Sequence, residues 1–314
     1  MADRVGVLGA GGMGSAFAAH LARSGEDVVL IGRGSAHIHR LTTQPLRVDP
    51  PGAQPWFAPL AVAESVADVP DGSLDILLLL TKAYDLAEAG SAAAPLLAKN
   101  GVAVALQNGL GTDALTADAF GGDRSLVGST TVGARLMEPG QISVSTATAA
   151  GRSTTSIGPM RRARGSLRHA RRTALLLTTA GLPSGADNGM DQLVWGKLAL
   201  ASMSPISCVN RVTVAAVWAS PEGRNLVRRM FDEVVDVAAA EGVHLDRDRA
   251  WAHAMLTFDG TGEHFTSMCT DFREGRRTEL PEMAGTVAVL AERHGIAAPV
   301  HHAVLDLLAI AGDT

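Results

Sequence analysis

The feature that most constrains the fold of this chain is a glycine-rich loop of the form GxGxxG near its N-terminus. The loop consists of Gly9, Ala10, Gly11, Gly12, Met13 and Gly14. It lies between a short apolar run at residues 4–8 and a helical pattern at residues 15–24, and a second apolar run follows at residues 27–31. In such a βαβ unit the first glycine permits a tight turn, the second lets the backbone approach a pyrophosphate, and the third allows the strand and helix to pack closely. The loop therefore predicts a dinucleotide-binding domain, and a tight βα turn without a ligand is the alternative interpretation.

The end of the second apolar run indicates which dinucleotide would bind. An NAD-binding domain usually carries Asp or Glu there to bind the ribose hydroxyls. This chain has Gly32-Arg33-Gly34 instead. The guanidinium of Arg33 is suited to bind a 2′-phosphate, so we predict NADPH rather than NADH as the cofactor. A surface arginine without a ligand is the alternative.

The length and the distribution of apolar residues predict two domains. The chain has 314 residues, of which 46% are hydrophobic and 19% charged, as expected for a globular protein of about two domains. Uninterrupted apolar runs at residues 74–81 and 101–106 are typical of parallel strands that are buried on both faces. We therefore predict an α/β Rossmann-like dinucleotide-binding domain over residues 1–188 and an all-α C-terminal domain over residues 189–314. The helices expected in the second domain span residues 191–204, 221–241, 249–258, 263–274 and 281–294.

Composition argues against several classes of partner. The formal net charge of −5 does not favour a nucleic-acid partner. No uncharged apolar stretch reaches the roughly 18 residues that a membrane span needs, and no secretion signal is evident. The two cysteines, Cys208 and Cys269, are isolated, which favours free thiols in the cytoplasm. No histidine or cysteine spacing indicates a metal site.

Two candidate site residues follow the later apolar runs. Lys82 comes directly after the run at residues 74–81, and Asn108 comes two residues after the run at residues 101–106. Both would lie at the carboxyl edge of a parallel sheet, where ligands bind. Lys82 could hold a phosphate or a substrate carboxylate, or it could extend into solvent. Asn108 could bridge cofactor and substrate, or it could form a simple Asn-Gly turn.

Lys197 is a candidate proton donor. The chain has only three lysines, and on a continuous helix over residues 191–204 this one would share a face with Leu193, Ala201 and Ser204. Lysine, unlike arginine, can be tuned by burial to exchange a proton near neutral pH. A lysine that merely reaches solvent from this face is the alternative.

Taken together and in this order, the motifs resemble those of the ketopantoate reductase (2-dehydropantoate 2-reductase) family over nearly the whole chain. Besides the glycine loop and Arg33, the motifs are Thr81-Lys82-Ala83, Gln107-Asn108-Gly109, Gly128-Ser129-Thr130-Thr131, Ile157-Gly158-Pro159, Trp195-Gly196-Lys197-Leu198, Ser267-Met268 and Gly275-Arg276-Arg277-Thr278-Glu279-Leu280. The resemblance implies an NADPH-dependent oxidoreductase of pantothenate biosynthesis that reduces a small 2-oxo acid. It also implies a helical domain for substrate binding and dimerisation, and a homodimer stays open. The β-hydroxyacid dehydrogenases share the loop style and a helical-domain lysine, but the Thr278-Glu279 segment fits them less well.

The resemblance also implies roles for individual residues. Lys197 would be the general acid that protonates the ketone oxygen. Glu279 would assist it and touch the nicotinamide side of the cofactor. Asn108 would contact both cofactor and substrate, while Lys82 and Ala134 would lie against the cofactor.

The substrate positions depart from the family pattern. Ser267 would match a contact to the substrate carboxylate, but the family's asparagines are replaced at Ala201, at Ser204, near Val214 and at Ala284. Each lost hydrogen bond is worth about 1 kcal/mol net. Three hypotheses therefore stay open: a ketopantoate reductase with Ser204 and Ser267 as substrate contacts, a reductase of another ketone or imine such as a secondary metabolite, and an NADPH-sensing protein without turnover.

Overall fold

The computed structural model describes residues 3–259, 263 and 265–312, and the chain divides into two compact units. The first unit comprises Met1–Gln107 and Gly111–Met190, and the second comprises Asn108–Leu110 and Asp191–Thr314. The short segment Asn108–Leu110 thus groups with the helical unit, which the sequence boundary after residue 188 did not foresee. None of the helices in the described ranges is long and apolar enough to cross a membrane.

The first unit is built on a largely parallel sheet, as the uninterrupted apolar runs predict. Its eight strands run in the order β12-β11-β8-β7-β6-β1-β2-β5, with β11 antiparallel to β8. The same unit contains a second sheet of four strands in the order β4-β3-β10-β9. The strands are β1 Arg4–Leu8, β2 Asp27–Ile31, β3 Leu46–Asp49, β4 Trp56–Ala58, β5 Ala61–Ala63, β6 Leu74–Leu79, β7 Leu97–Ala105, β8 Ser125–Thr130, β9 Ala134–Glu138, β10 Gln141–Val144, β11 Thr155–Gly158 and β12 Ser184–Ala186.

The helices of the first unit cover its sheets. They are α1 Gly12–Arg23, α2 Ala36–Leu41, α3 Leu86–Ala93, α4 Thr112–Phe120, α5 Thr146–Ala149 and α6 Leu167–Thr179, with single 3₁₀ turns at Val66–Asp68, Ala83–Asp85, Ala94–Leu96 and Gly122–Arg124. The helix expected at residues 15–24 begins three residues earlier, inside the glycine loop. Gly11 adopts the extended conformation of an N-cap residue, with φ −83° and ψ −173°, so the helical N–H groups start at the glycines themselves.

A buried histidine joins the glycine-loop helix to the second sheet. Gly140, in the turn between β9 and β10, donates its N–H to Nδ1 of His37 at 3.0 Å, and Nε2 of His37 lies 2.9 Å from Oγ of Ser15 on α1. Because Nδ1 accepts, the proton resides on Nε2, and burial lowers the pKa of His37. A Cβ on Gly12 would lie 2.8 Å from the backbone of Arg135 on β9. The second sheet therefore packs directly against the start of α1.

The described part of the second unit is helical apart from its connecting segments, as predicted. The helices are α7 Met190–Leu200, α8 Met203–Asn210, α9 Val214–Ala219, α10 Pro221–Ala240, α11 Arg247–Asp259, α12 Ser267–Arg273, α13 Thr286–His294 and α14 Pro299–Ile310, with a π turn at Pro281–Gly285 before α13. The helices expected at residues 221–241 and 249–258 are confirmed as α10 and α11 within two residues at each end. The one expected at residues 263–274 is the shorter α12, and residue 264 of that prediction lies outside the described residues.

The single helix predicted over residues 191–204 is wrong. The chain forms α7, a turn at residues 201–202, and then α8. Pro205 is the physical reason: it has no N–H to donate to the carbonyl of Ala201, and its ring would clash with that carbonyl in a continuous helix. A proline is tolerated in the first turn of a new helix, so α8 starts at Met203.

A buried carboxylate on α10 caps the N-terminus of α14. The carboxylate of Glu233 accepts the backbone N–H groups of Val300 at 2.9 Å and of His301 at 3.0 Å, and it lies 2.7 Å from Nδ1 of His301. Burial alone would raise the pKa of Glu233, but the hydrogen bonds from His301 and from both backbone groups lower it overall. These hydrogen bonds join α10 to the first turn of α14.

Candidate active site

The three glycines of the GxGxxG pattern do different physical work. Gly9 has φ +113°, and a Cβ there would lie 2.6 Å from the backbone of Leu80. A Cβ on Gly14 would lie 1.8 Å from the carbonyl oxygen of Gly9. A Cβ on Gly11 would meet nothing within 4 Å. The fold itself therefore requires glycine at the first and third positions, while Gly11 leaves open space beside the N-terminus of α1, where an anion is favoured.

Basic residues follow two strands of the first unit, β2 and β6, which lie on either side of β1 in the sheet. Arg33 follows β2, its side chain is 81% exposed, and its Nη2 lies 2.9 Å from Oδ2 of Asp85. Lys82 lies between β6 and the turn Ala83–Asp85, because β6 ends at Leu79 rather than at residue 81. Ala134 is the first residue of β9 and is half-buried.

Lys197 lies on α7, and its ammonium contacts Asn108. Its Nζ donates to Oδ1 of Asn108 at 2.8 Å. The neighbouring Trp195 is 1% exposed and anchors α7 in the core of the second unit. Burial lowers the pKa of Lys197 to about 8, against an opposing effect from the negative charge of Glu279. The group is therefore poised to give up a proton near neutral pH.

The π turn that follows Glu279 contacts the Asn108–Leu110 segment. Glu279 is 8% exposed. The carbonyl oxygen of Glu282, within the turn, accepts the N–H of Leu110 at 3.1 Å. Gly109 has φ +90°, and a Cβ there would lie 2.4 Å from the same carbonyl oxygen. Only glycine fits this contact, and the close fit fixes the position of the preceding Asn108 beside Lys197. Wide turns of this kind recur at functional sites.

Glu282 is a half-buried acid of the same turn that the sequence did not single out. Its Oε2 is buried and accepts no hydrogen bond within the described part of the chain. Burial raises the pKa of Glu282, the charge of Arg277 opposes this, and the charge of Glu279 adds to it. The signal available in the sequence was a pair of acids three residues apart, Glu279 and Glu282, directly after the arginines of the last family motif.

Of the two serines expected to contact the substrate, Ser204 lies on another helix than predicted and Ser267 lies on the predicted one. Ser204 is in the first turn of α8, so the shared face with Lys197 predicted for a continuous helix is wrong. Ser267 is the exposed first residue of α12. The two helices pack together, and Sγ of Cys269 lies 3.7 Å from the carbonyl oxygen of Ser207. Substrate contacts by Ser204 and Ser267 stay predictions.

Comparison with known proteins assigns both units. The family model described as ketopantoate reductase PanE/ApbA matches residues 5–162, and the model for the C-terminal part of that family matches residues 190–311. The chain belongs to the ketopantoate reductase family. Two relatives named 2-dehydropantoate 2-reductase extend the match to nearly full length: one from Halobacterium salinarum is 31% identical and one from Archaeoglobus fulgidus is 29% identical. The alignments cover 98% of this chain and 98% and 97% of those relatives.

Solved structures confirm the fold of this ketopantoate reductase family member. A 2-dehydropantoate 2-reductase from Geobacter metallireducens superposes with a TM-score of 0.87 at 24% identity, over 98% of this chain and 99% of that one. A D-mandelate dehydrogenase bound to NADH and anilino(oxo)acetate superposes with a TM-score of 0.89, also at 24% identity, over 98% and 97% of the two chains. This chain therefore shares with both proteins the architecture of a Rossmann-like unit followed by an all-α unit.

Proposed function

We propose that this protein reduces a 2-oxo acid or a related carbonyl compound with NADPH, as in the reduction of 2-dehydropantoate to pantoate. The observation that carries the proposal is the Lys197 ammonium, held at 2.8 Å by Asn108 and with its pKa lowered by burial to about 8. Perturbed pKa values of this kind cluster at functional sites. The family relationship supports the same chemistry.

The chain's own residues would manage the proton and the developing charge. A carbonyl oxygen becomes negative as it is reduced, and the ammonium of Lys197 would stabilise that charge and then donate the proton. Glu279 favours the ammonium form, because its negative charge raises the pKa of Lys197 against the effect of burial. Asn108 would orient the ammonium through its amide oxygen and contact both cofactor and substrate.

The first unit has the features that a dinucleotide needs. Gly11 leaves space for a pyrophosphate at the N-terminus of α1. The other loop residues Gly9, Ala10, Gly12, Met13 and Gly14, together with Lys82 and Ala134, would line the cofactor. When bound, the nicotinamide supplies the hydride. Arg33 and the absence of a carboxylate at residues 32–34 support NADPH over NADH.

The substrate positions support a second candidate, a carbonyl compound other than ketopantoate. Ala201 and Ala284 stand where the family pattern has asparagines, and Ser204 and Ser267 would remain as polar contacts. Fewer amide groups bind a hydroxylated 2-oxo acid less well and leave more room for an apolar substituent. We therefore include ketones and imines of secondary metabolism among the candidate substrates.

The location and assembly of the protein are part of the proposal. Cys208 and Cys269 are both buried, and neither is in a disulfide within the described residues, which supports the cytoplasm. A homodimer would involve the helical unit, and sedimentation equilibrium would test it.

The test is NADPH consumption across ketopantoate, other 2-oxo acids and apolar ketones. With the preferred substrate, replacing Lys197 with alanine should lower kcat by about two to four orders of magnitude, the usual contribution of a general acid. NADPH affinity should change less than about threefold, because Lys197 is not assigned to bind the phosphates. A Lys197→Arg variant is the matched control, since it keeps the charge but cannot release a proton. Equal turnover in wild type and Lys197→Ala would contradict the assignment, and binding of NADPH without turnover of any carbonyl would favour a sensing protein.

A further inference from the structure

An ion pair spans the two loops on either side of the glycine loop. Arg33 follows β2 and Asp85 lies in the turn after β6, and β1 lies between these two strands in the sheet. Nη2 of Arg33 donates to Oδ2 of Asp85 at 2.9 Å. The guanidinium that is suited to a 2′-phosphate is therefore already engaged by a carboxylate of the same unit.

The carboxylate of Asp85 has no local structural task that would explain its position. Asp85 precedes α3, where an aspartate usually caps the helix, but its backbone is helical, with φ −92° and ψ −10°, and its side chain makes no capping hydrogen bond. Its backbone N–H is bonded to the carbonyl oxygen of Lys82 at 3.0 Å. The side chain, 24% exposed, points instead to Arg33.

We propose that Asp85 narrows the preference of this protein for NADPH over NADH. The inference rests on the proposed function, because it concerns the cofactor of that reaction. A 2′-phosphate carries about 1.5 to 2 negative charges near neutral pH. It would reach Arg33 only beside a carboxylate of like charge, which opposes its binding. The ribose hydroxyls of NADH can instead donate to that carboxylate, in the way that the acidic residue after the second strand of NAD-binding domains accepts them. Asp85 thus supplies from the β6 side the acid that Gly32-Arg33-Gly34 lacks.

The size of the effect follows from the exposure of the pair. Arg33 is largely in solvent, and exposed ion pairs are weakened by water and salt. Replacing Asp85 with asparagine should therefore raise the ratio of the dissociation constants, Kd(NADH)/Kd(NADPH), by about threefold to tenfold. Most of the change should be tighter NADPH binding, and it should shrink at high ionic strength.

The experiment measures binding rather than turnover. Nicotinamide fluorescence gives the dissociation constants of NADPH and NADH for wild type, Asp85→Asn and Asp85→Glu. Asp85→Glu keeps the charge and should keep the wild-type ratio within about twofold. Glu64→Gln is the matched charge control: it removes one negative charge from the same rim, where the Glu64 carboxylate lies 3.7 Å from His39 and its backbone oxygen accepts the N–H of Gly34. It should leave the ratio within about twofold.

The outcomes separate this inference from the proposed function. A larger ratio in Asp85→Asn, with both controls near wild type, supports the role of Asp85. An unchanged or smaller ratio overturns it even when both cofactors bind. An equal increase in Glu64→Gln also overturns it, because the effect would then be one of net charge. A wild-type protein that binds neither dinucleotide overturns the proposed function and this inference together.

Discussion

Replacing Glu279 with glutamine should move the alkaline limb of the pH–rate profile to lower pH. Two effects set the pKa of Lys197 near 8: burial, which lowers it, and the negative charge of Glu279, which raises it. An amide carries no charge, so in Glu279→Gln burial lowers the pKa of Lys197 without the opposing effect of the carboxylate. A general acid works only in its protonated form, and turnover falls as the pH rises through its pKa.

The magnitude follows from the charge that is removed. An opposite charge close to a titrating group typically moves its pKa by about 1 to 3 units. We take about 1 unit, the lower end, because the effective dielectric constant between charges in proteins lies well above that of a dry interior. The alkaline limb should then move from near pH 8 to near pH ~7. At pH ~8 the protonated fraction of Lys197 would fall from about one half to about one tenth, which is about a fivefold loss of kcat/KM.

The assay is the pH dependence of kcat/KM for the carbonyl substrate between about pH 6 and about pH 10, because kcat/KM reports the pKa of the enzyme before the substrate binds. Comparing the positions of the limbs separates this effect from any direct contribution of Glu279, which would lower kcat/KM at every pH. The matched control is Glu282→Gln, three residues away in the same segment, which should leave the limb in place because the pKa of Lys197 responds to Glu279. A limb that stays near pH 8, or moves to higher pH, in Glu279→Gln would refute the reasoning.

Two further expectations concern the fold. Gly14→Ala should unfold at lower temperature or fail to fold, because its Cβ would lie 1.8 Å from the carbonyl oxygen of Gly9. Gly11→Ala, whose Cβ would meet nothing within 4 Å, should melt like wild type but bind NADPH at least about tenfold more weakly. Equal melting temperatures for the two variants in calorimetry would contradict this expectation. Glu233→Gln should lower the free energy of unfolding by about 2–3 kcal/mol near neutral pH, because a buried, hydrogen-bonded carboxylate is lost. Since the folded pKa of Glu233 lies below its ordinary value of 4.5, its stabilisation is present above that value and is lost as the pH falls through the folded pKa. Urea titrations of both proteins should therefore converge in acid, and a difference that persists there would argue against the carboxylate as its source.

The parts of the fold that could be predicted are those with a strong local pattern. β1 and β2 are apolar after one charged first residue, and the glycine loop between them has one well-known structural context. The strands of the second sheet were largely missed, because β3 and β4 have only four and three residues. Such short strands are held by their partners rather than by a pattern of their own.

The site could be predicted as a set of residues but not as a geometry. Lys197 and Glu279 were predicted from residue type and motif order. The break after α7 was not predicted, although Pro205 disfavours a continuous helix there. Glu282 was overlooked because its burial depends on a π turn, and that turn depends on a contact with Leu110, far away in the chain. A pattern within one segment carries no information about such a contact.

The grouping of Asn108–Leu110 with the helical unit limits how this protein can be recombined. A chimera joined at residue 190 would inherit Lys197 from one parent and Asn108 from the other, although these two side chains share a hydrogen bond of 2.8 Å. The same crossover would pair the π turn of one parent with the Gly109 of the other, at a contact that admits no Cβ. Domain exchange within this family should therefore succeed when residues 108–110 and the helical unit are taken from the same parent, as two separate segments of the chain.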